Sequence, residues 1–182
     1  MKEGKYIMAY RTRTYIAADW DHDGDAVDKL HQWNDSNYWS LSFTDAHDLT
    51  QAKDSSLNCS IEASLKKRLD ASKRFVLIVG EHTNTVTAGS CQWCENYSSN
   101  TTSCDNGRSV DFRSYIEYEC DKAVEAGMAI VILYKSVSVN KSKCPEAVRY
   151  EGIHVPMYRK GDDGKVYWNY LAVKKAFDDT EN

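Results

Sequence analysis

Five large apolar residues in succession, Phe75-Val-Leu-Ile-Val79, followed at once by Gly80 and Glu81, constrain this chain more than any other stretch. A run without alternation has no side for water, so it reads as a strand covered on both faces, as in a parallel sheet flanked by crossover helices. Met128-Ala-Ile-Val-Ile-Leu-Tyr134 repeats the pattern. In open parallel sheets ligands gather outside the carboxyl ends of the strands, which puts Gly80, Glu81, His82 and Thr83 at the expected site.

The remaining segments alternate between strand and helix patterns. Thr14 to Ala18 is a compact strand that runs into the acidic stretch Asp19-Trp-Asp-His-Asp-Gly-Asp25. Val27, Leu30 and Trp33 recur at helical spacing, with Asp25 placed as the cap. Tyr38 to Phe43 alternates roughly and reads as an edge strand ending at Thr44 and Asp45. Asp54 to Ser60 leads into a second helix marked by Ile61, Leu65 and Leu69, with Asn58 or Ser60 as its cap; the basic Lys66-Lys67-Arg68 on it reads as a solvated face. A third helix from Arg113 to Gly127 gathers Ile116, Cys120, Ala123 and Val124 on one side. Gly152 to Tyr158 is a last strand, Asp162-Asp-Gly164 the tip of a tight hairpin, and Leu171 to Phe177 a closing helix.

This alternation predicts one α/β domain with a core of about residues 14–158, an insertion at about 84–112 and a hairpin and helix over 159–182. Right-handed crossovers give five mainly parallel strands in the order 2-1-3-4-5, with Phe75 to Val79 in the middle. The chain of 182 residues, 42% hydrophobic, can fill such a core; its 5 Trp and 12 Tyr are unusually many, and some are expected to line a site. A net charge of -4 leaves no broad basic surface for nucleic acid. The opening Met1-Lys-Glu-Gly-Lys lacks an apolar signal core and no run reaches membrane-spanning length, so a cytoplasmic protein with reduced cysteines is expected.

Three motifs in these segments point to other chemistries. Asp19, Asp21, Asp23 and Gly24 match the opening of a calcium-binding loop, but its twelfth position is Leu30 rather than a bidentate Glu. A phosphoacceptor receiver would use Asp19 and Asp21 with Lys135, yet the central strand ends in Gly80-Glu81 with no Asp to phosphorylate. Cys91, Cys94 and Cys104 in the polar insertion make a weak zinc candidate that lacks a completing pair. Insertions of this length are uncommon unless functional or disordered, so this one is expected to cover the cleft as a lid.

Tyr115-Ile-Glu-Tyr-Glu-Cys120, followed by Ala123 and Ala126-Gly127 before an apolar strand, resembles the pattern of bacterial TIR-like proteins, including the sensors of Thoeris antiphage defence. Val76 to Gly80 and Tyr15 to Asp23 resemble the family's strand before that helix and its first strand with an acidic-aromatic exit. The resemblance implies a flavodoxin-like three-layer sandwich and cleavage of NAD at the nicotinamide–ribose bond, with NAD as substrate and no separate cofactor. Glu119 is then the catalytic residue; Asp19, Trp20, Asp45, Gly80, Glu81, His82 and Tyr115 are the expected substrate contacts. It also implies a cyclic ADP-ribose-type product acting on an effector protein, and allows self-association of the chain. The alternative is a TIR-like interaction module without catalysis.

Overall fold

The computed structural model describes residues 11–49 and 58–181. In chain order its elements are β1 (Arg13–Ala17), α1 (Trp20–Asp35), α2 (Asn58–Asp70), β2 (Ser72–Val79), a small hairpin of β3 (Tyr97–Ser98) and β4 (Ser103–Cys104), α3 (Tyr115–Glu125), β5 (Ala129–Tyr134), β6 (Ile153–Pro156), a second hairpin of β7 (Tyr158–Lys160) and β8 (Val166–Trp168), and α4 (Tyr170–Asp178). The expected lead-in from Asp54 to Leu57 lies outside the described residues.

The two unbroken apolar runs become the inner strands. β1, β2, β5 and β6 pair in parallel in that order, with Tyr15 beside Phe75 and Phe75 beside Ile130. Alternation within the strands then sorts the core into two. Tyr15, Phe75, Leu77, Ile130 and Ile132 pack with Leu65 and Leu69 of α2 and Ile116 and Ala123 of α3. Ile16, Val76, Ile78, Val131 and Leu133 pack with Val27 and Leu30 of α1 and Val173 and Phe177 of α4. Each such side chain contributes about 1.5–3 kcal/mol when fully buried, which is why neither face of β2 carries a polar residue between Phe75 and Val79. The result is a three-layer α/β sandwich of the flavodoxin-like kind.

Among the described residues the sheet has four strands rather than five, because Tyr38 to Phe43 is not a strand. Polar side chains take its backbone instead. Asn34 donates its amide to the carbonyl of Phe43 at 2.9 Å and accepts the Phe43 N–H at 2.8 Å. The Ser36 hydroxyl oxygen accepts the N–H groups of Tyr38 and Trp39 at 3.2 and 3.1 Å, and Ser42 sits at φ 57°. Contact with the sheet is an isolated parallel bridge between Thr14 and Asp45.

α1 also departs from expectation, starting at Trp20 instead of Ala26. Asp21 and Asp23 lie in its first turn, where carboxylates complement the positive end of the helix dipole. The acidic stretch is therefore helix, and no calcium-loop geometry forms from it. α3 is held at its start by a capping box: Ser114 Oγ accepts the Glu117 N–H at 3.2 Å, and Glu117 Oε2 accepts the Ser114 N–H at 2.8 Å. Gly127, at φ 62°, follows its last turn.

Candidate active site

Beyond the end of β1, a cavity of about 270 Å³ opens among the first turn of α1, α2 and α3. Asp19, Trp20, His47, Arg68, Tyr115 and Glu119 are among its walls. At its floor Tyr15 O–H donates to Glu119 Oε1 at 2.6 Å. Tyr15 is fully buried and Glu119 is 7% exposed. Burial disfavours the charged carboxylate and pushes Glu119 up to about 7; the Tyr15 hydrogen bond and the charge of Arg68 pull the other way without restoring it. The same burial, with Glu119 as neighbour, raises the Tyr15 phenol well above its ordinary value.

A second hydrogen-bonded group backs the wall. Asp45 accepts from the backbone N–H of His47 and from its Nδ1, both at 2.8 Å, and approaches His31 Nε2 at 3.0 Å. Burial alone would raise the Asp45 carboxyl, but the bonds from His47 and the nearby imidazoles hold it below the usual carboxylate value. The His47 ring lies 5.3 Å from both Tyr15 and Trp20. With Nδ1–H given to Asp45, His47 keeps Nε2 as a proton acceptor.

The expected contacts divide. Asp19, Trp20, Tyr115 and Glu119 line the cavity, and Asp45 stands one step behind it through His47. Gly80, Glu81 and His82 are not brought to it. Gly80 packs against Asp23, whose carboxylate a Cβ there would meet at 2.2 Å. Glu81 is exposed and pairs with Lys143 at 2.6 Å, and the His82 ring lies 4.2 Å from that of His22. Tyr15, His47 and Arg68 escaped sequence reasoning. Arg68 was grouped with Lys66 and Lys67 as solvated, yet it is 7% exposed. Asp45 and His47, two residues apart, were the available signal for the dyad; nothing in the apolar run marked Tyr15.

On the α1 side of the same strand ends lies a second buried carboxylate. Asp23 is 2% exposed, and Lys135 Nζ stands 3.4 Å from its Oδ1 and 2.6 Å from Asp25 Oδ1. Asp23 Oδ2 has no hydrogen-bond partner among the described residues, and burial raises its pKa against the opposing pull of Lys135. Lys135 thus answers Asp23 and Asp25, rather than the Asp19 and Asp21 pair a receiver would use.

The insertion reaches the cavity through its stem. Val86 and Ala88 join the lining, and the Ala88 carbonyl accepts the Tyr115 N–H at 2.8 Å. Gly89, at φ 96°, allows close approach: a Cβ would stand 2.4 Å from the Tyr115 ring. Cys91, Cys94 and Cys104 are free thiols, and among the described residues no three His, Cys, Asp or Glu gather as a metal ligand set.

Residues 14–88 match the family model described as Thoeris protein ThsB, TIR-like domain. Over this span the chain is similar to a Thoeris-related TIR-like domain. Comparison with curated proteins finds no match. The matched span supplies β1, α1, α2, β2 and the Val86–Ala88 stem, and the likeness supports a TIR-like role in antiphage defence signalling. Glu119 lies on the helix beyond the matched span of the TIR-like domain. Among the described residues no helix is long and apolar enough to cross a membrane.

Proposed function

We propose that the cavity takes the nicotinamide-ribose end of NAD and that Glu119 promotes cleavage of the bond joining them. The observation that carries this reading is a buried carboxyl, held by Tyr15 and opening on a cavity, with a pKa raised to about 7. At about 270 Å³ the space is smaller than the roughly 300–1,000 Å³ typical of small-molecule pockets, so it suits one end of a dinucleotide, with the rest passing over the half-exposed Trp20.

The chemistry follows from charge. The nicotinamide ring of NAD is cationic, and its entry favours ionised Glu119. As the C–N bond breaks, its electron pair neutralises the departing ring and positive charge moves to the anomeric carbon, where the fixed carboxylate stabilises it. Tyr15 occupies one carboxylate oxygen and leaves the other to a ribose hydroxyl. His47, its tautomer set by Asp45, takes the proton of the hydroxyl or water that closes on the anomeric carbon. A hydroxyl of the same molecule gives a cyclic ADP-ribose-type product, which suits a defence signal read by an effector.

Nicotinamide release from NAD, assayed in expressing cells challenged with phage, tests the reading. Glu119→Gln should lower it by about a hundredfold or more while Glu117→Gln should not. Equal activity in both variants would reduce Glu119 to a buried structural acid and favour an interaction module. His47→Gln should slow product formation by about a hundredfold.

A further inference from the structure

On the opposite face of the sheet, the end of α1 and the start of α4 enclose a second cavity of about 410 Å³. It is larger than the Glu119 cavity and falls within the size range of small-molecule sites. Three of the five tryptophans meet there. Trp33 stands edge-on to Trp168 at 6.0 Å and 88° and to Tyr170 at 5.4 Å and 70°, and Trp39 meets Tyr170 at 4.6 Å and 69°. Trp39 is nevertheless 41% exposed, on the segment that polar clamps keep out of the sheet. The same bonds that remove the expected edge strand hold an aromatic ring open to solvent.

The polar groups of the lining narrow the ligand. Lys29 Nζ lies 5.4 Å from the Trp168 ring centroid and donates to Gln32 Oε1, which leaves further ammonium donors and the Gln32 amide N–H groups. Ser36 Oγ already accepts two backbone N–H groups, so its hydroxyl is a donor. Among the described residues no carboxylate lines the cavity. Perpendicular aromatic rings often cage a cation, but here Lys29 already occupies that role over Trp168 and would repel a second one. A lining of donors and one cation, set among aromatic faces, is complementary to a ligand that joins a flat ring to an anionic group.

We propose that this cavity is a second ligand site, for a purine mononucleotide with its base against Trp39 and its phosphate at Lys29. The proposal is independent of the NAD reading, since none of these residues lines the Glu119 cavity. Calorimetric titration of the purified protein with AMP, adenosine and inorganic phosphate tests it, with Trp39→Ala, Lys29→Gln and Trp20→Ala beside wild type and folding checked by circular dichroism. AMP should bind wild type, and bind Lys29→Gln and Trp39→Ala at least tenfold more weakly, while Trp20→Ala should not remove that binding. Adenosine and phosphate should each bind more weakly than AMP. The proposal is overturned if millimolar AMP does not bind or if Trp20→Ala rather than Trp39→Ala removes binding. Phosphate binding as tightly as AMP would leave only an anion patch, and adenosine doing so would remove Lys29 from the account.

Discussion

Glu119 and Asp23 are both carboxylates buried near the ends of parallel strands, and they have opposite fates. Asp23 has a lysine beside it and the Cα of Gly80 filling the space where a ligand would sit. Glu119 has a neutral phenol as its hydrogen-bond partner and a cavity in front of it. Burial raises both pKa values against the pull of a neighbouring cation, Lys135 at Asp23 and Arg68 at Glu119, but only at Glu119 does a cavity leave room for an incoming cation to offset the rest. A buried acid marks a site when its compensation is incomplete and there is room to supply it.

The largest expected effect separates function from stability at one residue. Glu119→Gln should lower NAD turnover by about a hundredfold or more. The folded-state pKa of about 7 lies above the ordinary 4.5, so between those values the folded protein holds a proton that the unfolded chain has lost. Stability therefore falls as pH rises through this window, by roughly 3 kcal/mol in all. Removing the charge should consequently raise the Tm of Glu119→Gln above wild type at pH 8 and leave them equal at pH 4; a lower Tm at pH 8 would refute the burial argument.

Next in size is the test of the other acid. Lys135→Met strips Asp23 of its cation and should cost roughly 1–3 kcal/mol by urea unfolding at pH 8. Asp23 then protonates more readily in the fold, so the deficit should shrink as pH falls; a deficit independent of pH would mean that Lys135 contributes packing rather than charge. Tyr15→Phe should act more gently on Glu119. Losing a bond that favours the carboxylate raises the Glu119 pKa further, moving the rise of activity with pH to higher values without loss of fold. The smallest change is Glu117→Gln, because Gln also completes a capping box; stability should move by less than about 0.5 kcal/mol and turnover less than twofold.

What was readable in the sequence followed from burial on two faces. Phe75 to Val79 and Met128 to Tyr134 announced the inner strands, and the spacing of α3 put Glu119 near its apolar side. What was missed depends on who neutralises whom. Asp19 to Asp25 looked like a loop because acids favour turns; the place of Asp21 and Asp23 in the first turn of a helix rests on its dipole, and Asp23 and Asp25 also face a lysine over a hundred residues away. Tyr38 to Phe43 looked like a strand because aromatic residues favour sheets, and a single asparagine with a serine decided otherwise.

Asn34 has one more consequence. An outer strand normally leaves a row of unpaired amides that a neighbouring molecule can extend into a shared sheet. Here the amide and carbonyl of Phe43 are both occupied by a side chain of the same molecule, and Thr44 already accepts the N–H of Thr14 at 2.9 Å. Growth of a filament by strand addition at Phe43 would first have to evict Asn34, so one side-chain amide closes this point to backbone pairing with a neighbouring molecule.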